Sequence, residues 1–374
     1  MKIGYDAKRA FLNRTGLGNY SRWLIEGMAK YHPENEYFLY TPKLNPDIRF
    51  DLPERYQHVH TITAKIKLLS SVWRTKGIVD DLKRDGIQLY HGLSHELPLS
   101  IKKSGIKCVV TVHDLIFMRF PQYFGAINCA IYKAKLQYAC NNADKIIAIS
   151  QRTKGDLIEL FKIDPERIEV IYQNCAPSFS FALHPDTKKA VQQKYNLPKR
   201  FLLNVGTIEP RKNLMLLVKA LPSVNYKTPL VVVGKPTKYL EEVKKYIAEN
   251  NLTDRVIFLH EVTFAELPAI YQLAETFIYP SRYEGFGIPI VEALRSGVAV
   301  IGAKGSCLEE AGGPDSLYTN PDDEQELAKL INRVLRNKQL KEEMILKGYE
   351  YAHIFDDEKL SNQLFNLYQK VINA

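Results

Sequence analysis

Cysteine is scarce in this chain of 374 residues: Cys108, Cys129, Cys140, Cys175 and Cys307 are five in number and lie far apart. An odd count without ligand spacing argues against a disulfide framework and against a zinc site, so reduced thiols packed as small apolar residues are expected. There is no Asp-x-Asp pair and the nine histidines do not cluster, so no metal is expected. No apolar run is long enough to cross a bilayer, and the opening Met1-Lys2-Ile3-Gly4-Tyr5-Asp6 reads as a strand rather than a signal peptide. Short internal repeats, low-complexity tracts and nucleic-acid modules are all missing, so no nucleic-acid partner is expected.

What is present is the balance of a soluble globular protein, 45% hydrophobic and 25% charged, in a length that suits two α/β domains rather than one core. The net charge of +9 is uneven: residues 1–177 hold 26 Lys/Arg against 18 Asp/Glu, and the rest hold 25 against 24. A basic first half attracts anionic lipid or a phosphorylated substrate. Within it, Lys65, Ile66, Lys67, Leu68 and Leu69, followed by Val72, Trp73, Arg74 and Lys76, mix apolar and basic residues at roughly helical spacing. Such a face can lie on an anionic membrane surface, or can pack inward with snorkelling lysines.

Short β-branched or aromatic runs alternate with helical patterns from the first residue. Strands are expected at 2–6, 37–41, 59–63, 88–91, 108–113, 145–150 and 168–172, and again at 201–205, 230–233, 256–260, 276–279, 298–301 and 317–319. Helices are readable at 213–221, 238–250, 264–273 and 324–337, with an amphipathic one at about 357–372. The pattern weakens between Asn174 and Pro185, a natural linker. Two doubly wound, mostly parallel sheets follow, in domains 1–180 and 181–356. Ligands of such sheets bind outside the carboxyl ends of the strands, which directs attention to the cleft expected between the two halves.

The stretch 277–313 carries the strongest chemistry. An apolar strand stops at Pro280-Ser281, a loop with Gly285, Phe286 and Gly287 follows, and a short helix opened by Pro289 closes at Gly297. Glycines at the helix entry let a ligand approach the backbone, and the free amides and helix dipole favour a phosphate. Glu284 and Glu292 flank this device, and a carboxylate accepts bonds from a vicinal diol. A plain glycine turn with a solvated Glu292 fits the spacing equally well.

The run Pro-Ser-x-x-Glu-Gly-Phe-Gly-Ile-Pro-x-x-Glu-Ala, with Glu284 and Glu292 as its acids, resembles the Glu-x7-Glu signature of retaining glycosyltransferases of the GT-B fold, family 4. The resemblance extends over nearly the whole chain. It implies that Glu292 holds the ribose diol of a nucleotide-sugar donor, and that Glu284 with the amides of Gly285, Phe286, Gly287 and Ile288 holds the donor sugar. Arg211 and Lys212, in Gly-Thr-Ile-Glu-Pro-Arg-Lys-Asn, match basic residues that stabilise the departing diphosphate, although relatives often carry Arg where this chain has Thr207. By position alone, just past a strand and before a helix, they could clamp a diphosphate or be solvated charge, although cations are the wrong sign for a helix start. His113, in Thr-Val-His-Asp-Leu, matches a histidine that contacts the donor sugar; by position alone it is a hydrogen-bonded residue behind a buried strand. Gly16 and Gly18 match the first glycine loop, which otherwise is a tight turn. The segment from His260 to Leu267 resembles the base-binding segment, with Val262 and Leu267 against the nucleobase. In the family, the terminal helix at about 357–374 crosses back onto the first domain.

The function expected from this resemblance is metal-independent transfer of a hexose, with GDP-mannose favoured, to a saccharide or lipid-linked saccharide acceptor in surface polysaccharide or glycolipid synthesis. The enzyme would be cytoplasmic or peripheral at the inner face of the membrane. The alternatives are a sugar-nucleotide epimerase or phosphorylase on the same fold, and a non-catalytic sugar-nucleotide-binding protein.

Overall fold

The computed structural model describes residues 1–48, 50–66 and 69–374. The chain forms two compact units, Met1–Gln173 with Phe355–Ala374, and Asn174–Ile354.

In the first unit, seven parallel strands run β1 (Lys2–Asp6), β2 (Glu36–Thr41), β3 (Val59–Thr63), β4 (Leu89–Gly92), β5 (Lys107–Val112), β6 (Lys145–Ala148) and β7 (Ile168–Val170), in the sheet order β3-β2-β1-β4-β5-β6-β7. The second unit holds six parallel strands: β8 (Leu202–Val205), β9 (Leu230–Val233), β10 (Val256–Leu259), β11 (Thr276–Tyr279), β12 (Val300–Ala303) and β13 (Leu317–Thr319), ordered β10-β9-β8-β11-β12-β13. Runs such as Leu-Val-Val-Val in β9 are buried on both faces, as strands covered by helices on either side must be. Both sheets reverse winding direction beside their first strand, between β1 and β4 and between β8 and β11. Those are the places where an open sheet leaves a crevice at its carboxyl edge.

The chain enters the second unit at Asn174 rather than at 181, because Phe179 is buried there, with its ring edge-on to Tyr271 at 5.6 Å and its carbonyl accepting from Ser296 at 3.4 Å. The strand expected at 298–301 begins two residues later. Gly297, at φ +70°, ends the preceding helix, and Val298 N–H still bonds back to the Ala293 carbonyl. The helix expected from 264 starts at Leu267, after a turn in which Thr263 donates to Glu266. A helix over Lys338–Ala352 was not foreseen; Asn337, whose side chain accepts from Leu340 N–H, closes one helix and opens the next.

The terminal helix Asp357–Asn373 belongs to the first unit and packs on the helix Gly16–Tyr31. Gly27 permits the approach, since a Cβ there would lie 2.6 Å from Ser361 Oγ. Trp23 Nε1 donates to Asp357 at 2.7 Å, and the Tyr368 hydroxyl meets His91 Nδ1 at 2.6 Å. Among the described residues, no helix is long and apolar enough to cross a membrane, and no group of three or more His, Cys, Asp or Glu is arranged to hold a metal ion.

Candidate active site

At the winding switch of the second unit, the loops after β8 and β11 are stitched together. Arg282 N–H donates to the Arg211 carbonyl at 2.9 Å, and Asn213, at φ +57°, reaches the Pro280 and Pro321 carbonyls with its side-chain amide. Asparagine tolerates that left-handed backbone better than most residues. The stitching brings Arg211, Lys212 and Glu284 together. Glu284 Oε1 lies 2.8 Å from Arg211 Nη1 and 3.0 Å from Lys212 Nζ, and it accepts from the Tyr279 and Ser281 hydroxyls at 2.9 and 2.8 Å. All four contacts fall on one carboxylate oxygen.

Burial raises the Glu284 carboxyl, but Lys212 and Arg211 outweigh it and hold it at about 2. Burial likewise works against the Arg211 charge, and Glu284 and Glu209 more than restore it. Arg211 also donates to Glu209 at 2.5 Å. The Lys212 stem crosses Gly206, where a Cβ would sit 3.1 Å from Lys212 Cδ, and its ammonium lies over the Tyr279 ring and bonds its hydroxyl. The two cations are therefore aimed and desolvated rather than solvated at a helix start. Tyr279, Ser281 and Glu209 complete the cluster, and the sequence reading had not singled them out. The first two stand at and just past the carboxyl end of β11, the position where a side chain enters the crevice.

Glu292 lies inside the helix Ile288–Arg295 and is only 7% exposed, so it is not a solvated helix residue. Its Oε2 accepts from the Tyr271 hydroxyl at 2.9 Å, and burial pushes its carboxyl up to about 7 against the lowering effects of Tyr271 and Lys212. The two acids eight positions apart are thus held in opposite states, one pinned ionised by two cations and one poised near neutrality. Gly287 precedes the helix at φ +121°, a conformation that strains any residue with a Cβ, and a Cβ there would also press on Leu308 at 3.0 Å. Gly285 and Phe286 are buried in the same loop, and Ile288 begins the helix. Val262 lies in the loop after β10, and Leu267 starts the helix Leu267–Leu273 that carries Tyr271.

In the first unit, His113 follows β5 and is buried. Its Nε2 bonds the Leu93 carbonyl at 2.9 Å, its N–H donates to His95 Nε2 at 2.6 Å, and Tyr20 meets its ring edge-on at 4.6 Å. Burial, reinforced by His95, lowers its pKa to about 3, so the imidazole is neutral at ordinary pH. Gly16 and Gly18 differ. A Cβ on Gly18 would lie 1.8 Å from the Asn13 carbonyl oxygen, whereas Gly16 is exposed with open space where its Cβ would be. Gly18 is demanded by the loop itself, and Gly16 leaves room in front of the helix.

The segment 65–76 is split by the fold. Arg74 turns inward to Asp6 at 2.5 Å and Glu96 at 2.6 Å, and Trp73 donates to Asp81, while Ile66, Leu69 and Val72 stay exposed. Lys67 and Leu68 lie outside the described residues.

Two doubly wound parallel-sheet units with a paired-acid site at the second unit's switch point define the GT-B class. Residues 186–351 match the family described as Glycosyl transferases group 1, and residues 15–173 match Glycosyltransferase Family 4. The chain belongs to glycosyltransferase family 4, as a retaining GT-B glycosyltransferase that draws on a nucleotide-sugar donor. It is 29% identical over 287 residues to the O-antigen chain mannosyltransferase B of Escherichia coli, covering 75% of this chain and 74% of that one. It is 30% identical over 262 residues to the serotype-specific mannosyltransferase WbdA of Escherichia coli, covering 67% of this chain but only 32% of that longer relative. The crystal structure of Anabaena HepE in complex with UDP and glucose superimposes with a TM-score of 0.74 at 20% identity, over 99% of this chain and 100% of that one.

Proposed function

We propose that the protein is a mannosyltransferase that uses GDP-mannose and acts on a saccharide or lipid-linked saccharide in the synthesis of a surface polysaccharide or glycolipid. The observation that carries the donor chemistry is the Glu284 cluster with Glu292 beside it. Two partly buried cations, paired with the Glu209 and Glu284 carboxylates, form a preorganised seat for a diphosphate, and they meet growing negative charge as it departs. Glu292 accepts from the ribose diol, and the backbone of Gly285, Phe286, Gly287 and Ile288 takes the sugar end. Val262 and Leu267 flank the nucleobase. Within the first unit, neutral His113 and the exposed backbone at Gly16, in a loop shaped by Gly18, are the groups offered to a sugar.

The leaving phosphate takes the proton of the acceptor hydroxyl on the face from which it departs, so configuration is retained and neither glutamate is a nucleophile. Arg211 and Lys212 do the work that a metal does in other transferases, and no metal is required. The mannose assignment rests on likeness to the O-antigen chain mannosyltransferase B and WbdA.

The test is incubation with GDP-mannose, UDP-glucose, UDP-galactose and ADP-glucose in EDTA, with methyl and octyl mannosides as acceptors and product anomers read by NMR. An α-mannoside formed only from GDP-mannose supports the reading. A product from a different donor alone, an inverted anomer or a strict need for metal contradicts it. Turnover of the donor to a free epimer, or phosphate-dependent release of sugar 1-phosphate, would move the assignment to an epimerase or a phosphorylase.

A further inference from the structure

The loop that follows β4 closes on itself beside His113. A Cβ on Gly92 would lie 2.1 Å from the Glu96 carbonyl oxygen, so the segment from Gly92 to Glu96 makes one tight fold. Three bonds tie that fold to the end of β5. His95 N–H donates to the Thr111 carbonyl at 2.9 Å, His113 N–H donates to His95 Nε2 at 2.6 Å, and His113 Nε2 donates to the Leu93 carbonyl at 2.9 Å. His95 stands at φ +62°, a left-handed backbone that is uncommon outside glycine, although histidine is enriched there. Strain of this kind persists only where the surroundings over-determine it, and it gathers at functional sites.

The same bonds fix the tautomer of each imidazole. A carbonyl can only accept, so His113 Nε2 carries the ring proton, and because that ring is neutral its Nδ1 is bare. A backbone N–H can only donate, so His95 Nε2 is bare and the proton of that ring sits on Nδ1. Burial keeps His95 neutral, lowering it to about 4. A proton added to it would turn Nε2 into a second donor facing the His113 N–H. Among the described residues, no group bonds His113 Nδ1. His91 on β4 differs: Tyr368 and Thr111 occupy both of its ring nitrogens, at 2.6 and 2.8 Å, so it has no ring nitrogen left to offer.

We propose that His95 is a positioning residue, which holds His113 by its backbone so that the bare Nδ1 of His113 accepts a hydrogen bond from a sugar hydroxyl. The proposal rests on the glycosyltransferase reading above. It gives His95 its work through His113, not through any contact of its own with substrate, and it accounts for a left-handed histidine in that loop.

The experiment compares His95→Asn with His95→Gln in the full chain. Asparagine suits the left-handed backbone, but its side chain ends where Nδ1 stands, short of the His113 N–H. Glutamine fits the backbone less well, but its Oε1 reaches about as far as Nε2 and accepts. His95→Asn should therefore melt at the higher temperature of the two, and His95→Gln should be the more active. Sugar transfer from GDP-mannose should fall about tenfold in His95→Asn and stay within about threefold of the parent in His95→Gln, with GDP affinity unchanged in both. Long-range proton–nitrogen NMR of histidine-labelled protein should show His113 as the Nε2–H tautomer and His95 as the Nδ1–H tautomer in the parent. The His113 signals should move towards a mixture of tautomers in His95→Asn and stay in place in His95→Gln. Transfer that follows melting temperature, or that falls equally in both variants, overturns the proposal and leaves His95 a structural residue. A His113 ring with its proton on Nδ1 also overturns it, as do His113 signals that ignore both substitutions. Failure of the parent to bind GDP or to turn over GDP-mannose counts against the donor reading alone, and the NMR comparison then decides whether His95 positions His113.

Discussion

The Tyr271 hydroxyl donates to Glu292 Oε2 at 2.9 Å, and the carboxyl it holds titrates at about 7 because burial disfavours its charge. A ribose diol donates more strongly to the ionised form than to the protonated one, so nucleotide affinity should weaken as pH falls through 7. The nucleotide's own phosphate titrates in the same range, so the informative quantity is the difference between the parent protein and Glu292→Gln. That difference should vanish below about pH 6 and grow to about tenfold by pH 8, one pKa unit being worth about 1.4 kcal/mol. Tyr271→Phe removes a contact that favours ionisation and should move the midpoint upward. Parallel pH curves for all three proteins would contradict this role for Glu292.

Glu284 pairs with both Arg211 and Lys212 before any donor arrives, and Glu209 pairs with Arg211 as well. Glu284→Gln should lower thermal stability by a few kcal/mol, since truncating a buried ion cluster leaves charge uncompensated at a cost of about 3–5 kcal/mol. The same variant should bind nucleoside diphosphate at least as tightly as the parent, because Lys212 then faces no carboxylate and Arg211 keeps only Glu209, while transfer falls by two orders of magnitude or more. Calorimetric melting with and without nucleotide checks the first two expectations, and a donor-consumption assay checks the third.

Acid should loosen the two units at different pH. Burial depresses His91 to about 3, His95 to about 4 and His113 to about 3, all in the first unit. Each binds its proton in the unfolded chain below about 6.5 but not in the folded one. Stability is therefore fully present above that value and is lost as pH falls, at about 1.4 kcal/mol per pH unit per histidine. Glu292, in the second unit, has the opposite sign: its raised pKa adds stability below about 4.5, and this is lost as pH rises through 7. Glu284 resists acid until far lower, because its depressed pKa keeps its contribution until pH falls below about 4.5 towards 2. Hydrogen exchange between pH 7 and 5 should show faster opening in residues 1–173 and unchanged or slower opening in 174–354. The reverse order would show that these groups do not control acid stability.

The two glycines of the first loop should separate fold from function. Gly16→Ala meets open space and should fold normally, so any drop in transfer by that variant reports on substrate. Gly18→Ala collides with the Asn13 carbonyl and should lose several kcal/mol of stability whatever the substrate. Equal melting temperatures for the two variants would refute the distinction.

Much of this architecture was legible in the sequence, because parallel strands buried on both faces are written as unbroken apolar runs such as those of β5, β9 and β11. Boundaries were less so. The unit border at Asn174 depends on where Phe179 is buried, and the start of β12 depends on how Gly297 closes a helix. Lone positions could announce that Arg211, Lys212 and Glu284 matter, but not that they neutralise one another, which needs the loops after β8 and β11 to be stitched together. The inward turn of Arg74 was hidden for the same reason. Its partners Asp6 and Glu96 lie far away along the chain and meet it only through the β1–β4 pairing.

The most direct test of the account is isothermal titration of the protein with GDP, UDP, ADP and dTDP in EDTA and in magnesium, repeated on Arg211→Ala and Glu292→Ala. The account predicts that GDP binds best, equally well in both buffers, and that each substitution weakens it by at least tenfold. If no nucleotide binds, or if binding needs magnesium and ignores both substitutions, the Glu284–Glu292 site is not the donor site.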